Sequence, residues 1–290
     1  MIGRHREIES VRRAPAFLNL RRRTLLWIGL TAGLLLFTVL GSLLMVSDQQ
    51  LNSNLELRNA PPSWEHPFGT DWLGRDMLAR TLRGLTLSLG VGLTAALCSV
   101  GIAFALGLAA AVMGRTVDRL ITWLIDLFLS VPHLITLILI AFVMGGGVRG
   151  VVIGIAFTHW PSLARVIRAE VLQLRSAHYV HVSRKLGKNK WWIAMKHMVP
   201  HVLPQCWIGL LLIFPHAILH EAAITFLGMG LSPHQPAIGI ILSESMRYLS
   251  IGMWWLAFFP GMSLVMMVML FDRMGENVRR LMDPKHERLE

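Results

Sequence analysis

The residues best equipped for chemistry in this chain are histidines set in apolar sequence. There are twelve histidines in 290 residues, and His133, His159, His216 and His220 fall within or beside long hydrophobic stretches. His216 and His220 are four residues apart, so on a helix they share one face. Glu221 follows about 100° further round. Imidazole and carboxylate are natural ligands for nickel, zinc or copper. Ionisable groups in membrane-embedded helices usually face a bundle interior or a water path. His216, His220, Glu221 and His159 are therefore candidate metal-contacting groups along a path through the molecule. The plainer reading gives each histidine a hydrogen bond across a helix interface. His66, His178, His181, His197, His201 and His234 lie in more polar segments, where solvation or docking accounts for them. An enzyme needs a nucleophile–base pair or a complete metal constellation; His216, His220 and Glu221 come closest but lack the spacing and a third ligand. No Gly-x-x-x-x-Gly-Lys-Ser/Thr phosphate loop is present, and Gly145-Gly146-Gly147 has no lysine after it. No catalytic residue and no cofactor bound by this chain is expected.

The elements that must position these groups are spanning helices. The chain is 54% hydrophobic and 16% charged, against about 25% charged for a soluble domain, and its mean hydropathy is +0.54. About twenty apolar residues cross the hydrocarbon of a bilayer. Six stretches qualify, at about 25–46, 85–113, 119–144, 148–168, 201–230 and 251–271. Nothing alternates like a membrane strand, so the expected fold is all-α, integral to the membrane, with six transmembrane helices. The first stretch exceeds a signal-peptide core and no small-residue cleavage site follows it, so it reads as a retained span. The net charge of +11 could suit nucleic acid, but the basic residues cluster between spans, which suits membrane topology better. Cys98 and Cys206 lie in apolar or near-membrane sequence and are not read as a disulfide.

Lysine and arginine then set the orientation. They crowd the first 23 residues, the segment after the fourth span and the tail, whereas Arg149 and Arg247 stand alone in the alternate loops. Both termini are thus expected in the cytoplasm. The organisation reads as a cytoplasmic arm (1–24), a first span (25–46), a periplasmic loop (47–84), a five-helix core (85–276) and a cytoplasmic tail (277–290). Within the core, 172–200 is a cytoplasmic loop rich in helix formers. Pro132, Pro161 and Pro215 should kink their helices. Asp118 and Asp126 are expected to pair with Arg115, Arg119 or nearby groups, and the methionines at 266, 267 and 269 read as adaptable packing.

The cytoplasmic loop contains Tyr179, His181-Val182-Ser183, Gly187, Trp191-Trp192 and Val199-Pro200. Gly187 can cap a short helix in the left-handed conformation, and Pro200 marks where the fifth span begins anew. The result is a basic, aromatic helix–Gly–helix element suited to docking into a groove. Its spacing resembles the EAA loop of ABC importer permeases, with His181-Val182-Ser183 in place of the Glu-Ala-Ala triplet. Phe68-Gly69-Thr70-Asp71-Trp72-Leu73-Gly74-Arg75-Asp76, followed by Arg80, resembles the Gly-Thr-Asp-x-x-Gly-Arg-Asp signature of the dipeptide, oligopeptide and nickel importer permeases. The run from Glu221 to Leu231, Arg165-Val166-Ile167-Arg168 and Leu172-Gln173-Leu174-Arg175 extend the similarity over about 68–284.

That resemblance implies a type I ABC importer permease fold in the cell inner membrane. It implies a heterodimer with a homologous permease, two cytoplasmic ATP-binding subunits that use ATP and magnesium, and an external solute-binding protein. Tyr179, His181, Gly187, Trp191, Trp192 and Pro200 would form the ATPase-coupling loop. Gly69, Thr70, Asp71, Gly74, Arg75 and Asp76 would be a periplasmic signature, either an ion-pair cluster capping the second span or a contact for the solute-binding protein or outer gate. The cargo would be nickel, another metal chelate, or short peptides; His159-Trp160 and His220 look more like the nickel permeases. A secondary transporter is the alternative, but it would typically show internal repeats, and none is visible.

Overall fold

The computed structural model describes residues 20–46 and 51–282; most of the basic arm and the end of the tail lie outside the described residues. Among the described residues the regular secondary structure is helical apart from one isolated bridge between Thr70 and Asp76. The helices are α1 (Leu20–Leu40, continued by a wide turn over Gly41–Met45), α2 (Met77–Val112), α3 (Arg115–Ser130), α4 (His133–Val143), α5 (Gly147–Arg175), α6 (His178–Lys185), α7 (Lys190–Ile193), α8 (Val199–Phe226), α9 (Ile238–Leu249) and α10 (Trp255–Met282).

Five continuous helices are long and apolar enough to cross a bilayer, and α3 with α4 makes a sixth span only as a pair bent by 101°. The third stretch is therefore not the single helix expected over 119–144. Pro132 has no backbone donor and disfavours helical geometry in the residue before it, and Val131 is extended at φ −94°, ψ 139°. Pro161 and Pro215 instead lie inside α5 and α8, which run on through them. The second span starts about two turns earlier than expected, at Met77, because Asp76 caps it: Oδ1 accepts from the Ala79 N–H at 2.8 Å.

A second correction concerns Pro200. The fifth span does not begin anew there, because one helix runs 37 residues from Lys190 to Phe226. A wide turn over Ala194–Met198, where the Val199 N–H bonds the Ala194 carbonyl, lies directly before the proline. Pro200 cannot donate and its ring presses on the carbonyl four residues back; the wide turn re-routes the bonding without ending the helix.

Packing follows lipid logic. On α1, Thr24, Thr31 and Thr38 recur every seventh residue and are buried, while Leu26, Leu30, Leu36 and Phe37 face outward. Small polar residues inside and large apolar ones outside are the pattern of a helix that packs on neighbours in hydrocarbon. The short α4 lies antiparallel on α5, with Ala141 over Gly150 and Leu137 over Gly154. A Cβ on Gly150 would stand 2.6 Å from the Ala141 carbonyl oxygen. One further turn in the same register brings His133 level with Thr158 and His159.

Two ion pairs lash α3 to α5. Arg168 forks onto both carboxylate oxygens of Asp118, with Nη2 donating to Oδ2 at 2.9 Å, and Arg165 donates to Asp126 at 2.8 Å. The expected partners, Arg115 and Arg119, are not those used: Arg119 adjoins Asp118 in sequence and cannot face it, whereas Arg168 presents its planar fork from the neighbouring helix. The Asp118 and Arg168 side chains are 24% and 26% exposed. Asp118→Asn, Arg168→Gln and the double variant should therefore show a coupling of about 1 kcal/mol in thermal unfolding of the purified protein. Strict additivity would show that the pair contributes nothing.

Candidate functional site

The first candidate element is the knot around Asp71, which is fully buried. Its Oδ1 accepts the Leu73 and Arg75 backbone N–H groups, both at 2.9 Å, and Oδ2 accepts Arg75 Nε and Arg80 Nη1, both at 2.7 Å. Arg80 continues to Glu244 of α9 through Nη2 at 2.8 Å. Trp72 stacks on Tyr248 of α9 with centroids 5.1 Å apart, and both arginines lie 5.4 Å from the Trp72 ring centroid. Asp76 caps α2 and reaches His66 Nδ1 at 2.7 Å. The Thr70 hydroxyl accepts from Ala60 N–H and donates to the Leu57 carbonyl. Gly69 and Gly74 both have positive φ, and a Cβ on Gly74 would fall 1.7 Å from the Asn54 carbonyl oxygen. These residues thus bind the 51–76 segment, the start of α2 and α9 into one body.

The second element is the helix–Gly–helix surface. Gly187 has φ +77°. Its N–H bonds the Arg184 carbonyl and the Lys188 N–H bonds the Ser183 carbonyl, both at 3.1 Å, which is the Schellman arrangement that ends α6. Asn189 then caps α7 through Oδ1 and the Trp192 N–H at 2.7 Å. Val180, Ile193 and Ala194 are buried and fasten the element to the bundle. Tyr179, His181, Val182, Leu186, Trp191 and Trp192 are exposed. Tyr179 and Trp192 flank His197 at 5.4 and 5.5 Å, and Lys188 lies over the Trp192 ring at 4.9 Å. Pro200 is exposed further along the continuous helix.

The third element is a meeting of imidazoles. His159 and His220 come together as two of the four metal candidates, and the third ring is His133, the first residue of α4. Ring centroids are 4.5 Å apart for His133–His159, 4.6 Å for His133–His220 and 5.1 Å for His159–His220. His216 lies near the trio but outside its ring contacts; it is exposed, and its Nδ1 donates to its own helix at the Leu212 carbonyl, 2.8 Å away. Glu221 also points elsewhere. It is fully buried, and its Oε1 accepts the Thr225 hydroxyl at 2.9 Å, while Thr225 Oγ1 accepts the Leu231 N–H at 3.2 Å. Glu221 thus helps close the turn after α8, and the Gly230 carbonyl of that turn accepts from the Gly147 N–H at 3.0 Å.

Sequence reasoning left out Glu244 and Tyr248, which complete the Asp71 knot, and did not place His133 with the metal candidates. No periodicity joins residues so distant. Only Pro132 hinted that His133 would sit at a helix break.

The described residues thus form a multi-span helical bundle whose exposed aromatic surface is continuous with one of its long apolar helices. The chain belongs to the binding-protein-dependent transport system inner membrane component family, which matches residues 101–284, and is on that account a permease subunit of an ABC importer. It is 31% identical over 293 aligned residues to the dipeptide transport system permease protein DppC of Bacillus subtilis (strain 168), covering 98% of this chain and 91% of that one. A peptide permease protein of Brucella suis biovar 1 (strain 1330) is 34% identical over 254 residues, covering 87% of this chain and 84% of its relative. Inward-facing structures of the MetNI methionine ABC transporter match the fold with a TM-score of 0.56 at 19% identity, over 71% of this chain and 98% of theirs. The family resemblance and the all-helical permease fold expected from the sequence are borne out.

Proposed function

We propose that this chain forms one half of the translocation path of an importer for short peptides. In this reading it pairs with a homologous permease in the cell inner membrane, both termini lie in the cytoplasm, and an external solute-binding protein delivers cargo. Two partner subunits bind and hydrolyse ATP with magnesium; this chain takes no cofactor and performs no catalysis. The segment at 172–200 is the coupling element, seating Tyr179, His181, Trp191 and Trp192 in a cleft of an ATPase subunit. The observation that carries the reading is the unbroken helix from Lys190 to Phe226, which joins that surface to the membrane core without a hinge loop. Closure of the ATPases would shift the bundle between inward- and outward-facing states by biasing a two-state equilibrium.

Peptide cargo is supported by the names of the relatives. Nickel or another metal chelate is a second reading, supported by the meeting of His133, His159 and His220. Co-expression with the candidate ATPases, sister permease and binding protein tests the assembly, and uptake of labelled dipeptide and labelled nickel in a deletion strain tests the cargo. ATP-dependent dipeptide uptake that needs this chain is the expected result. Transport by the lone chain, without any ATPase, would overturn the reading.

A further inference from the structure

The three imidazoles come from three separate helices, α4, α5 and α8, so local sequence does not force their meeting. Their ligand nitrogens all lie within 4.8 Å of one another, and each residue is half-buried, reachable yet walled in. The second nitrogen of His159 is already assigned. Nδ1 lies 3.0 Å from the Ile155 carbonyl oxygen, which can only accept, so Nδ1 carries the proton and Nε2 keeps a free lone pair. A histidine oriented through its other ring nitrogen in this way is the usual support for a metal ligand. His133 Nδ1 is buried with no hydrogen-bond partner, a condition that a bound water or ion would relieve. The residue carrying it begins the helix that follows the 101° bend.

We propose that His133, His159 and His220 form a binding site for one divalent first-row transition-metal ion of the nickel, copper or zinc class. The ion arrives bare or in a chelate that keeps coordination positions free. Neutral imidazole is the common protein ligand for these ions. Three nitrogens at about 2.0–2.1 Å leave a further position open for water or a chelator. Tetrahedral coordination at those lengths needs nitrogens about 3.4 Å apart, which fits the 4.8 Å limit within which they lie, so one ion can bridge all three rings. In doing so it ties the start of α4 to the two long helices. That the ion is cargo in transit rests on the importer reading; that the site binds it does not.

The test uses the assembled, metal-stripped transporter titrated with Ni²⁺ and Zn²⁺ by equilibrium dialysis and elemental analysis, with nickel X-ray absorption to count imidazole ligands. One ion per chain on three imidazoles is expected. His133→Phe, His159→Phe and His220→Phe keep a ring in place while removing the nitrogens, and each should weaken binding at least tenfold with assembly unchanged on gel filtration. His216→Ala should bind as the natural chain does. A parallel titration with a nickel–histidine chelate separates the two forms: retention of free histidine with the metal indicates the chelate, its release the bare ion. No bound ion, or undiminished affinity in the triple Phe variant, overturns the site. Failure of ATP-dependent dipeptide uptake with metal binding intact would instead remove only the peptide-cargo reading, and metal binding by a chain that transports without any ATPase would remove only the importer reading.

Discussion

Asp71→Ala is expected to leave little folded protein in the membrane. The carboxylate is fully buried and satisfies two backbone N–H groups and two guanidinium groups at once. Removing it strands Arg80, whose side chain is 5% exposed, beside Glu244 alone. Breaking a buried pair by deleting one partner costs about 3–5 kcal/mol, a large part of the about 5–15 kcal/mol that holds a typical domain together. Asp71→Asn keeps an oxygen for the backbone donors but loses the charge and the acceptor that faces the two guanidinium groups, so it should fall between alanine and the natural residue. Thermal unfolding of the purified complex gives the ranking. If Asp71→Ala melts at the natural temperature and only uptake is lost, the residue serves a partner contact or gate.

A different kind of defect is expected at Gly187, where the fold survives and transport does not. A Cβ there meets nothing within 4 Å, so the whole effect of substitution comes from the backbone. Left-handed geometry costs an ordinary L-residue roughly 1–2 kcal/mol, and a β-branched side chain tolerates it least. Gly187→Val should therefore push the chain out of the Schellman turn, splay α6 from α7 and separate the exposed aromatic surface into two pieces. Solute uptake should fall at least tenfold at normal complex levels, while Gly187→Asn, which tolerates positive φ, stays close to the natural chain. Normal uptake by Gly187→Val at normal expression would refute the coupling role of this turn.

What the sequence disclosed and what it hid divide along physical lines. Apolar length and the basic bias between spans are additive along the chain, so the helical membrane fold was legible. The turn at Gly187 was legible for a related reason: one residue's φ preference decides it. The break at Val131–Pro132 was half-legible, because a proline inside an apolar run signals either a kink or a stop, and only the packing of Leu137 and Ala141 on the α5 glycines selects a sharp bend. Pro200 misled in the opposite sense, since a wide turn upstream absorbs the missing donor. The histidines show the limit most clearly. His216 and His220 share a helical face by arithmetic, yet the partner His220 finds is His133, brought from a separate helix by packing that no local pattern encodes. Glu244 in the Asp71 knot is a case of the same kind, lying 164 residues from Arg80.

The uninterrupted helix over Lys190–Phe226 also has a mechanical consequence. Its wide turn at Ala194–Met198 is a natural fulcrum. Taken from Met198 at the end of that turn, at 1.5 Å per residue, the arm toward Trp191 is about 10 Å and the arm toward Phe226 about 42 Å. A nudge of one ångström at the tryptophans is thereby geared up roughly fourfold at the far tip, where the turn bonded to Gly147 would feel it as a swing.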